Sequence, residues 1–152
     1  MTELERFELA KSKGYTYDPI TGEIKGMKGN LIIRKNKQGY IDCSIFYNGR
    51  GYKMLGHRLA WYLHYGELPK NNIDHIDSNT SNNKIYNLRD VTQQQNNWNR
   101  NNTKGYYWHK KAKKYHARIM MNLKIISLGL FDDELDARNA YLEAKAKYHV
   151  IQ

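Results

Sequence analysis

The chain has 152 residues and contains one cysteine, two prolines and no long apolar run. With Cys43 alone, no disulfide can form within the chain, and the alternating run around Cys43 predicts a strand residue that faces a core. A membrane-spanning helix needs about 18 apolar residues, so we expect no membrane partner. The N-terminal residues lack the basic-then-apolar pattern of a secretory signal, which predicts a cytosolic protein.

Acidic residues are also scarce. The 15 Asp and Glu residues face 25 Lys and Arg residues, which gives a formal net charge of +10. A soluble chain this basic usually binds a polyanion. We therefore expect nucleic acid as the partner, and no small-molecule substrate.

The patterns that are present predict an α+β protein. Period-two alternation and turn residues such as Asn48-Gly49 indicate strands and hairpins, and helical spacing indicates helices. Thr92 and Gln95 match a capping box, and Asp133 matches a helix N-cap. We expect helices at 3–14 and 57–65 and after Thr92 and Asp133, a hairpin at 17–24, and strands at 31–34, 40–47, 52–55, 73–76 and 87–91.

The polar segment 97–103 is the predicted linker, so we expect one domain at 1–100 and a second at 101–152. Between Lys104 and Lys124 there are seven Lys or Arg residues and no acid. Strands are expected at 105–110, 115–121 and 124–129, followed by a helix with Leu135, Ala140, Tyr141, Ala144 and Tyr148 on its inner face. In this arrangement Trp108 and Tyr141 are core residues.

Four residues form the candidate active site. Asp74 and His75 are adjacent at the end of a short strand, Asn87 follows 12 residues after His75, and Asn96 another 9 after that. A histidine that titrates near neutrality can take a proton from water, and Asp74 and Asn96 can offer hard oxygen ligands to a divalent cation. Because strand neighbours point to opposite faces, Asp74 and His75 share one site only where the strand ends or bulges. Asn97 is the alternative to Asn96 if the helix register differs by one.

This ordered set resembles the HNH endonucleases, in particular the small homing-type enzymes of phages. The resemblance implies a ββα-metal domain with one Mg²⁺ or Mn²⁺ ion held by Asp74 and Asn96, with His75 as general base. It also implies that Asn87 pins the loop that orients the base, and that the products carry 5′-phosphate and 3′-hydroxyl ends. His57 and Arg58 are interpreted as scaffold or phosphate contacts. The resemblance is carried by His57-Arg58-Leu59-Ala60-Trp61, Asp74-His75-Ile76-Asp77, Asn82-Asn83, Asn87-Leu88-Arg89-Asp90-Val91-Thr92 and Asn96-Asn97.

The C-terminal segment 104–149 resembles an AP2 domain, in which a three-stranded sheet packs on one helix and lies in the DNA major groove. Tyr107 and His109 stand where base-reading arginines are usual, and Arg118 replaces a usual Glu, so no target sequence is implied. If Ala117 and Ile119 face the helix, His116, Arg118 and Met120 face outward. We expect DNA contacts from Arg58, Arg100, Tyr107, His109, Lys110, Lys111, Lys113, Lys114, His116, Arg118 and Lys124.

Two alternatives remain open from the sequence. The first is a non-catalytic DNA-binding regulator with a degenerate HNH domain, although all four site positions carry competent side chains. The second is a protein that binds or cuts RNA, because aromatic-rich basic sheets also suit single strands. Cleavage of a plasmid with and without EDTA, and competition between DNA and RNA, would separate these readings.

Overall fold

The structure is a computed structural model that describes residues 1–99 and 103–150. The chain folds as two compact units, Met1–Gln93 and Gln94–Gln152, which we describe separately. The sequence places the domain boundary seven residues later, after residue 100, and that boundary stays a prediction. Arg100 lies outside the described residues.

The first unit begins with helix α1 (Glu3–Ser12), which Thr2 and Glu5 cap with a reciprocal capping box. The hairpin predicted at 17–24 is formed by strands β1 (Thr16–Tyr17) and β2 (Ile24–Lys25), which pair antiparallel. Its turn is closed by Asp18, whose carboxylate accepts hydrogen bonds from the backbone of Ile20 and Thr21.

A second hairpin consists of strands β3 (Asp42–Tyr47) and β4 (Arg50–Leu55). Its turn residues Asn48 and Gly49 both have positive φ, 49° and 73°, as a tight hairpin turn of the Asn-Gly type requires. Strand β4 leads directly into helix α2 (Gly56–Tyr65), which ends at Gly66 in the left-handed conformation.

The strand predicted at 31–34 is wrong. This segment makes only isolated bridges, Lys25 with Leu31 and Lys35 with Ile41. Of its apolar side chains, Ile32 packs against the core whereas Ile33 is 73% exposed. A single inward side chain between two turns is too little burial to hold a longer strand pair.

The third hairpin carries the candidate site. Strand β5 (Asn72–His75) pairs antiparallel with β6 (Leu88–Val91), and a short 3₁₀ turn at Ile85–Asn87 precedes β6. Helix α3 (Gln93–Trp98) follows and begins at the last residue of the first unit. The predicted linker 97–103 therefore starts inside a helix.

The core of the first unit is built from α1, α2 and the hairpins. Cys43 is 1% exposed, as the alternation around it predicts, and Ile45 lies beside it on the same face of β3. The other fully buried apolar residues include Phe7, Ala10, Ile24, Leu59 and Ala60.

The second unit contains the predicted three-stranded sheet and helix. Strands β7 (Tyr106–His109), β8 (Lys114–Met121) and β9 (Lys124–Phe131) form an antiparallel sheet with β8 in the centre. Asp133 caps helix α4 (Glu134–Tyr148) by accepting from the Leu135 amide. Ala117 and Ile119 are buried, as expected for the side of β8 that meets the helix.

Three positions of the predicted core of this unit are wrong. The buried face of α4 is formed by Ala137, Tyr141 and Ala144, whereas Leu135 is 65% exposed and Tyr148 is 36% exposed. Tyr141 and Ala144 of the predicted inner face are buried as expected, and the small alanines let the helix approach the sheet closely. Trp108 is 49% exposed and packs edge-on against Tyr115 rather than filling the core. None of the described helices is long and apolar enough to cross a membrane.

Candidate active site

Strand β5 ends at His75, which satisfies the condition under which Asp74 and His75 can serve one site. In the β5–β6 hairpin Asp74 pairs with Arg89 and His75 pairs with Leu88. Both site residues are buried, with 8% exposure for Asp74 and 3% for His75. We call the connection between the hairpin strands, residues 76–84, the site loop.

Asp74 is held by its cross-strand neighbour. Its Oδ2 accepts hydrogen bonds from Arg89 Nε at 3.0 Å and from Arg89 Nη2 at 2.8 Å. Charge-assisted bonds of this kind are short and directional. The ion pair therefore compensates a nearly buried carboxylate and fixes its orientation at the end of β5.

The His75 imidazole is enclosed by aromatic rings and one amide. Its centroid lies 5.2 Å from that of His57 and 5.8 Å from that of Tyr40, and its Nε2 is 3.1 Å from Asn83 Oδ1. Burial lowers the pKa of His75 below its ordinary value, while the Asn83 hydrogen bond and the charges of Asp77 and Asp74 act in the opposite direction. His75 is therefore a neutral imidazole at neutral pH, the form that can accept a proton.

His57 is a buried neighbour of this ring. Burial lowers the pKa of His57 to about 3, helped by the charges of His75 and Arg58. Its Nδ1 has no hydrogen-bond partner in the described part of the chain. An uncharged ring packed between Tyr40 and His75 fits the scaffold role expected from the sequence.

Asn87 ties the two ends of the site loop together. Its Oδ1 accepts from the Asp77 amide at 3.0 Å, and its Nδ2 donates to Asp77 Oδ1 at 2.9 Å and to the Asn82 carbonyl at 2.8 Å. Its own carbonyl accepts from the Ile76 amide at 2.9 Å. The contacts of the Asn87 side chain are thus with the loop.

Asn96 lies on helix α3 and belongs to the second unit. It is half-buried, and its neighbour Asn97 is exposed. In the same unit the Trp98 ring stacks on His149, with centroids 4.7 Å apart and planes inclined by 7°. Because Asp74 belongs to the first unit, its sharing of a metal ion with Asn96 stays a prediction.

The available donors suit a hard cation. Among residues 1–99 and 103–150, no three His, Cys, Asp or Glu side chains form a group that could hold a metal. A site made from one carboxylate, one amide oxygen, phosphate oxygens and water needs no such group, and these are the ligands that Mg²⁺ and Mn²⁺ prefer. The Asp74 carboxylate fits this chemistry, and a bound cation would share it with Arg89.

Comparison with known proteins finds a similarity over the segment that carries this geometry. Residues 55–98, which include α2, the β5–β6 hairpin and α3, match the family model of the HNH endonucleases. This segment is similar to the HNH endonuclease domain.

One solved structure also matches the chain. It is described as DNA binding and cleavage by the HNH homing endonuclease I-HmuI, and it is 35% identical in sequence with a TM-score of 0.46. The match covers 56% of this chain and 50% of that chain, so this chain spans about half of its length. No curated protein matches the chain.

Within the HNH segment, Arg58 is occupied by structural contacts. Its Nε and Nη2 donate to the two carboxylate oxygens of Glu3, each at 2.7 Å, and its Nη1 donates to the Asn71 carbonyl at 3.2 Å. This bidentate pair favours the scaffold reading of Arg58, because a phosphate contact would have to compete with Glu3.

The outward face of the second-unit sheet carries a polar aromatic cluster. Tyr107 Oη lies 2.9 Å from His116 Nδ1, and His116 Nε2 lies 2.8 Å from Ser127 Oγ. The Arg118 guanidinium stacks over the Tyr107 ring at 4.7 Å. His109 is nearby, with its ring centroid 6.3 Å from that of Tyr107. The structure therefore brings together four of the residues predicted to contact DNA.

The predicted phosphate contacts surround this sheet. Lys110, Lys111, Lys113 and Lys124 are exposed, and Lys113 has a positive φ of 50° in the β7–β8 turn. Lys114 differs, because its Nζ lies 3.1 Å from a carboxylate oxygen of Asp132. Exposed lysines on one turn can reach phosphates without first breaking an ion pair.

Two residues of the HNH site were missed by the sequence reasoning. Arg89 could have been found, because antiparallel pairing of the two predicted strands places it opposite Asp74. Asn83 had no comparable signal, since its contact with His75 depends on the path of the site loop. The sequence indicated it as a loop residue only.

Proposed function

We propose that the chain is a divalent-metal-dependent DNA endonuclease that hydrolyses phosphodiester bonds. The observation that supports this most directly is a neutral, buried His75 beside Asp74, at the end of a strand in a segment that matches the HNH endonucleases. An acceptor imidazole next to a hard oxygen ligand is the pairing that metal-assisted hydrolysis requires.

In this proposal His75 removes a proton from the water that attacks the scissile phosphorus. A neutral ring is required, and burial supplies it by lowering the pKa of His75. With 3% exposure the residue meets solvent over a small edge only. The proposal therefore requires that this edge carries the ring nitrogen that accepts the proton. Asn87 contributes by holding the site loop in place.

A divalent ion, Mg²⁺ or Mn²⁺, would be held by Asp74, with Asn96 as the second ligand proposed from the sequence. When bound, such an ion stabilises negative charge on the leaving 3′ oxygen. Arg89 keeps the Asp74 carboxylate at the strand end and compensates its charge. Asp74 is thus oriented before any cation binds.

The second unit is proposed to bind duplex DNA as an AP2-like domain covering residues 101–152. Its exposed lysines would contact phosphates, and Tyr107, His109, His116 and Arg118 would face the groove. Phosphate contacts position a protein on DNA, whereas base contacts select the sequence. Because this unit has many lysines and one stacked arginine, we expect high affinity for DNA and low sequence specificity.

The decisive experiment compares cleavage and binding in one protein. Purified chain is incubated with supercoiled plasmid and Mg²⁺ or Mn²⁺, with and without EDTA, and products are resolved on denaturing gels. We expect cleavage that EDTA abolishes. His75→Ala should bind DNA with unchanged affinity but lose cleavage by a factor on the order of 10²–10⁴, the usual contribution of a general base. His64→Ala, at an exposed histidine of α2, is the matched control and should cut normally.

Equal cleavage by His75→Ala and by the unaltered protein would remove the proposed mechanism. DNA binding without any metal-dependent cleavage would instead favour the regulator alternative. Preferential competition by RNA of matched length would redirect the substrate class. Each result therefore selects one of the readings that the sequence left open.

A further inference from the structure

Asn83 is the most deeply buried polar residue of the site loop. It is 2% exposed, and its Oδ1 lies 3.1 Å from Nε2 of His75. Its Nδ2 is buried and has no hydrogen-bond partner among the described residues. Buried polar atoms are rarely left unsatisfied. The loop keeps this amide buried although its Nδ2 has no partner there, which points to a role for the Oδ1 that contacts His75.

The main chain of Asn83 is fixed by the β1–β2 hairpin. The Tyr17 hydroxyl donates to the Asn83 carbonyl at 2.6 Å, and the Ile85 amide donates to the Pro19 carbonyl at 3.0 Å. At Gly22, an added Cβ would lie 2.6 Å from the Lys84 nitrogen and 2.8 Å from the carbonyl carbon of Asn83. The turn therefore presses directly on the backbone that carries this amide.

The remainder of the site loop is held from a second direction. Thr80 Oγ1 donates to the Gln38 carbonyl at 3.3 Å, and Lys35 Nζ donates to Ser81 Oγ at 3.0 Å. The Asn82 carbonyl is held by Asn87. With contacts on both sides, the Asn83 side chain has little freedom to leave His75.

An amide oxygen accepts hydrogen bonds and cannot donate them. Its contact with Nε2 therefore requires that Nε2 carries the ring hydrogen of a neutral His75, which puts the lone pair on Nδ1. We propose that Asn83 is a positioning residue that fixes His75 in the Nε2–H tautomer and thereby makes Nδ1 the proton-accepting atom. This inference rests on the proposed nuclease function and names which atom of the base performs it.

The proposal separates two tasks within the loop. The Asn87 side chain contacts Asp77 and Asn82, so it maintains the loop. The Asn83 side chain contacts the ring itself, so it sets the position of the hydrogen on the ring. Loss of Asn87 should disturb the loop as a whole, whereas loss of the Asn83 amide should change the imidazole with less effect on folding.

The first test reads the tautomer directly in the full-length protein. Long-range ¹H–¹⁵N spectra of the His75 ring, recorded at mildly alkaline pH without metal or DNA, distinguish a protonated nitrogen from one with a lone pair. We expect Nε2 to be protonated and Nδ1 to be unprotonated. The reverse pattern would overturn the proposal, because the Asn83 amide would then have to donate to Nε2 through its nitrogen.

The second test compares variants that keep or remove the acceptor. Asn83→Asp retains an oxygen that accepts from Nε2–H, whereas Asn83→Leu has similar volume and no acceptor. We expect Asn83→Leu to lower the single-turnover cleavage rate by at least tenfold, part of the roughly 10²–10⁴ that a general base contributes. Its Kd for DNA should be unchanged, and Asn83→Asp should recover most of the rate. Tyr86→Phe, at a 68% exposed position just after the site loop, is the matched control and should cleave normally.

Cleavage by Asn83→Leu at the unaltered rate would overturn the proposal. If Asn83→Leu does not fold, as judged by circular dichroism, the spectrum of the unaltered protein and the rate of Asn83→Asp still decide the question. Complete absence of metal-dependent cleavage by the unaltered chain would refute the nuclease function instead. The ring spectrum would then still report whether Asn83 fixes the tautomer.

Discussion

Arg89 compensates the nearly buried carboxylate of Asp74. Its guanidinium donates two hydrogen bonds to Oδ2, and the two side chains are only 22% and 9% exposed. Removing one partner of a buried ion pair keeps the desolvation penalty of the other charge, which is more destabilising than removing both.

We therefore expect Arg89→Met to lower the free energy of unfolding by about 1–3 kcal/mol. Urea denaturation at neutral pH measures this change. The double variant Asp74→Asn/Arg89→Met should recover part of the loss, because the uncompensated charge is gone. A double variant as unstable as the sum of the two single variants would show that the pair does not interact.

A second prediction at the residue scale concerns His57. In the unfolded chain this histidine binds a proton near its ordinary pKa of about 6.5, whereas burial lowers the pKa of His57 to about 3 in the folded protein. Between these values the unfolded chain binds more protons, so His57 destabilises the fold increasingly as the pH falls from about 6.5 and no further below about 3. Within this pH range, His57 lowers the free energy of unfolding by up to about 1.4 kcal/mol for each pH unit of acidification.

The measurement is urea denaturation at several pH values for the unaltered protein and for His57→Phe, which cannot titrate. The variant should lose stability less steeply on acidification. Parallel pH profiles for the two proteins would show that His57 is not a neutral buried group in the fold.

At the scale of elements, the β1–β2 turn supports the site loop through Gly22. This glycine has a φ of +79°, and a Cβ there would collide with the backbone of Asn83 and Lys84. Gly29 has a similar φ of +76° but has nothing within 4 Å of the Cβ position. Both positions therefore need the left-handed backbone conformation, but only Gly22 is packed against neighbouring backbone atoms.

Gly22→Ala should be more destabilising than Gly29→Ala and should also reduce cleavage. Each change strains a left-handed backbone by about 1–3 kcal/mol, but only the first displaces the residue that contacts His75. Thermal unfolding and single-turnover cleavage are measured for both variants. Equal losses of activity in the two would contradict the support role of the turn.

The elements also show what the sequence could predict. Alternation correctly assigned Cys43, Ala117 and Ile119 to buried faces, because one side of each strand meets a core. It failed at residues 31–34, where apolar side chains follow each other without a partner strand to bury them. On α4, helical spacing correctly placed Tyr141 and Ala144 inside but missed Ala137, because the close approach of the helix depends on Ala137 and on Gly105, whose Cβ would lie 2.0 Å from the Tyr141 ring.

The candidate site also contains features that the sequence could predict and features that it could not. Asp74 and His75 could be placed at the end of a strand because the apolar run and the polar loop mark that end. The contact of His75 with Asn83 could not be predicted, because it depends on the Tyr17 and Gly22 contacts from a hairpin about 60 residues earlier in the chain. Local periodicity carries no information on such distant contacts.

At the scale of the whole molecule, the basic charge determines how DNA binding should respond to salt. Lys110, Lys111 and Lys113 are exposed at one turn of the second unit. Each phosphate that a lysine no longer neutralises should reduce the slope of log K against log salt by about 0.9. Replacing all three lysines by glutamine should therefore weaken duplex binding and flatten its salt dependence.

Fluorescence anisotropy with labelled duplex over a range of salt concentrations measures this slope. An equal number of exposed lysines elsewhere, Lys11, Lys13 and Lys147 on or beside the first and last helices, provides the charge-matched control. The same flattening in both triple variants would mean that net charge, and not this turn, governs binding.

The contacts that hold residues 80–84 from two sides limit how far the chain could be shortened around the candidate site. The matched segment 55–98 includes neither the Tyr17 hydroxyl nor the Gln38 carbonyl, yet both hold the loop beside His75. A fragment of residues 55–98 inserted into another protein would lack both of these supporting contacts. A fragment that keeps the candidate site in place would also have to include the β1–β2 hairpin and the segment that carries Gln38.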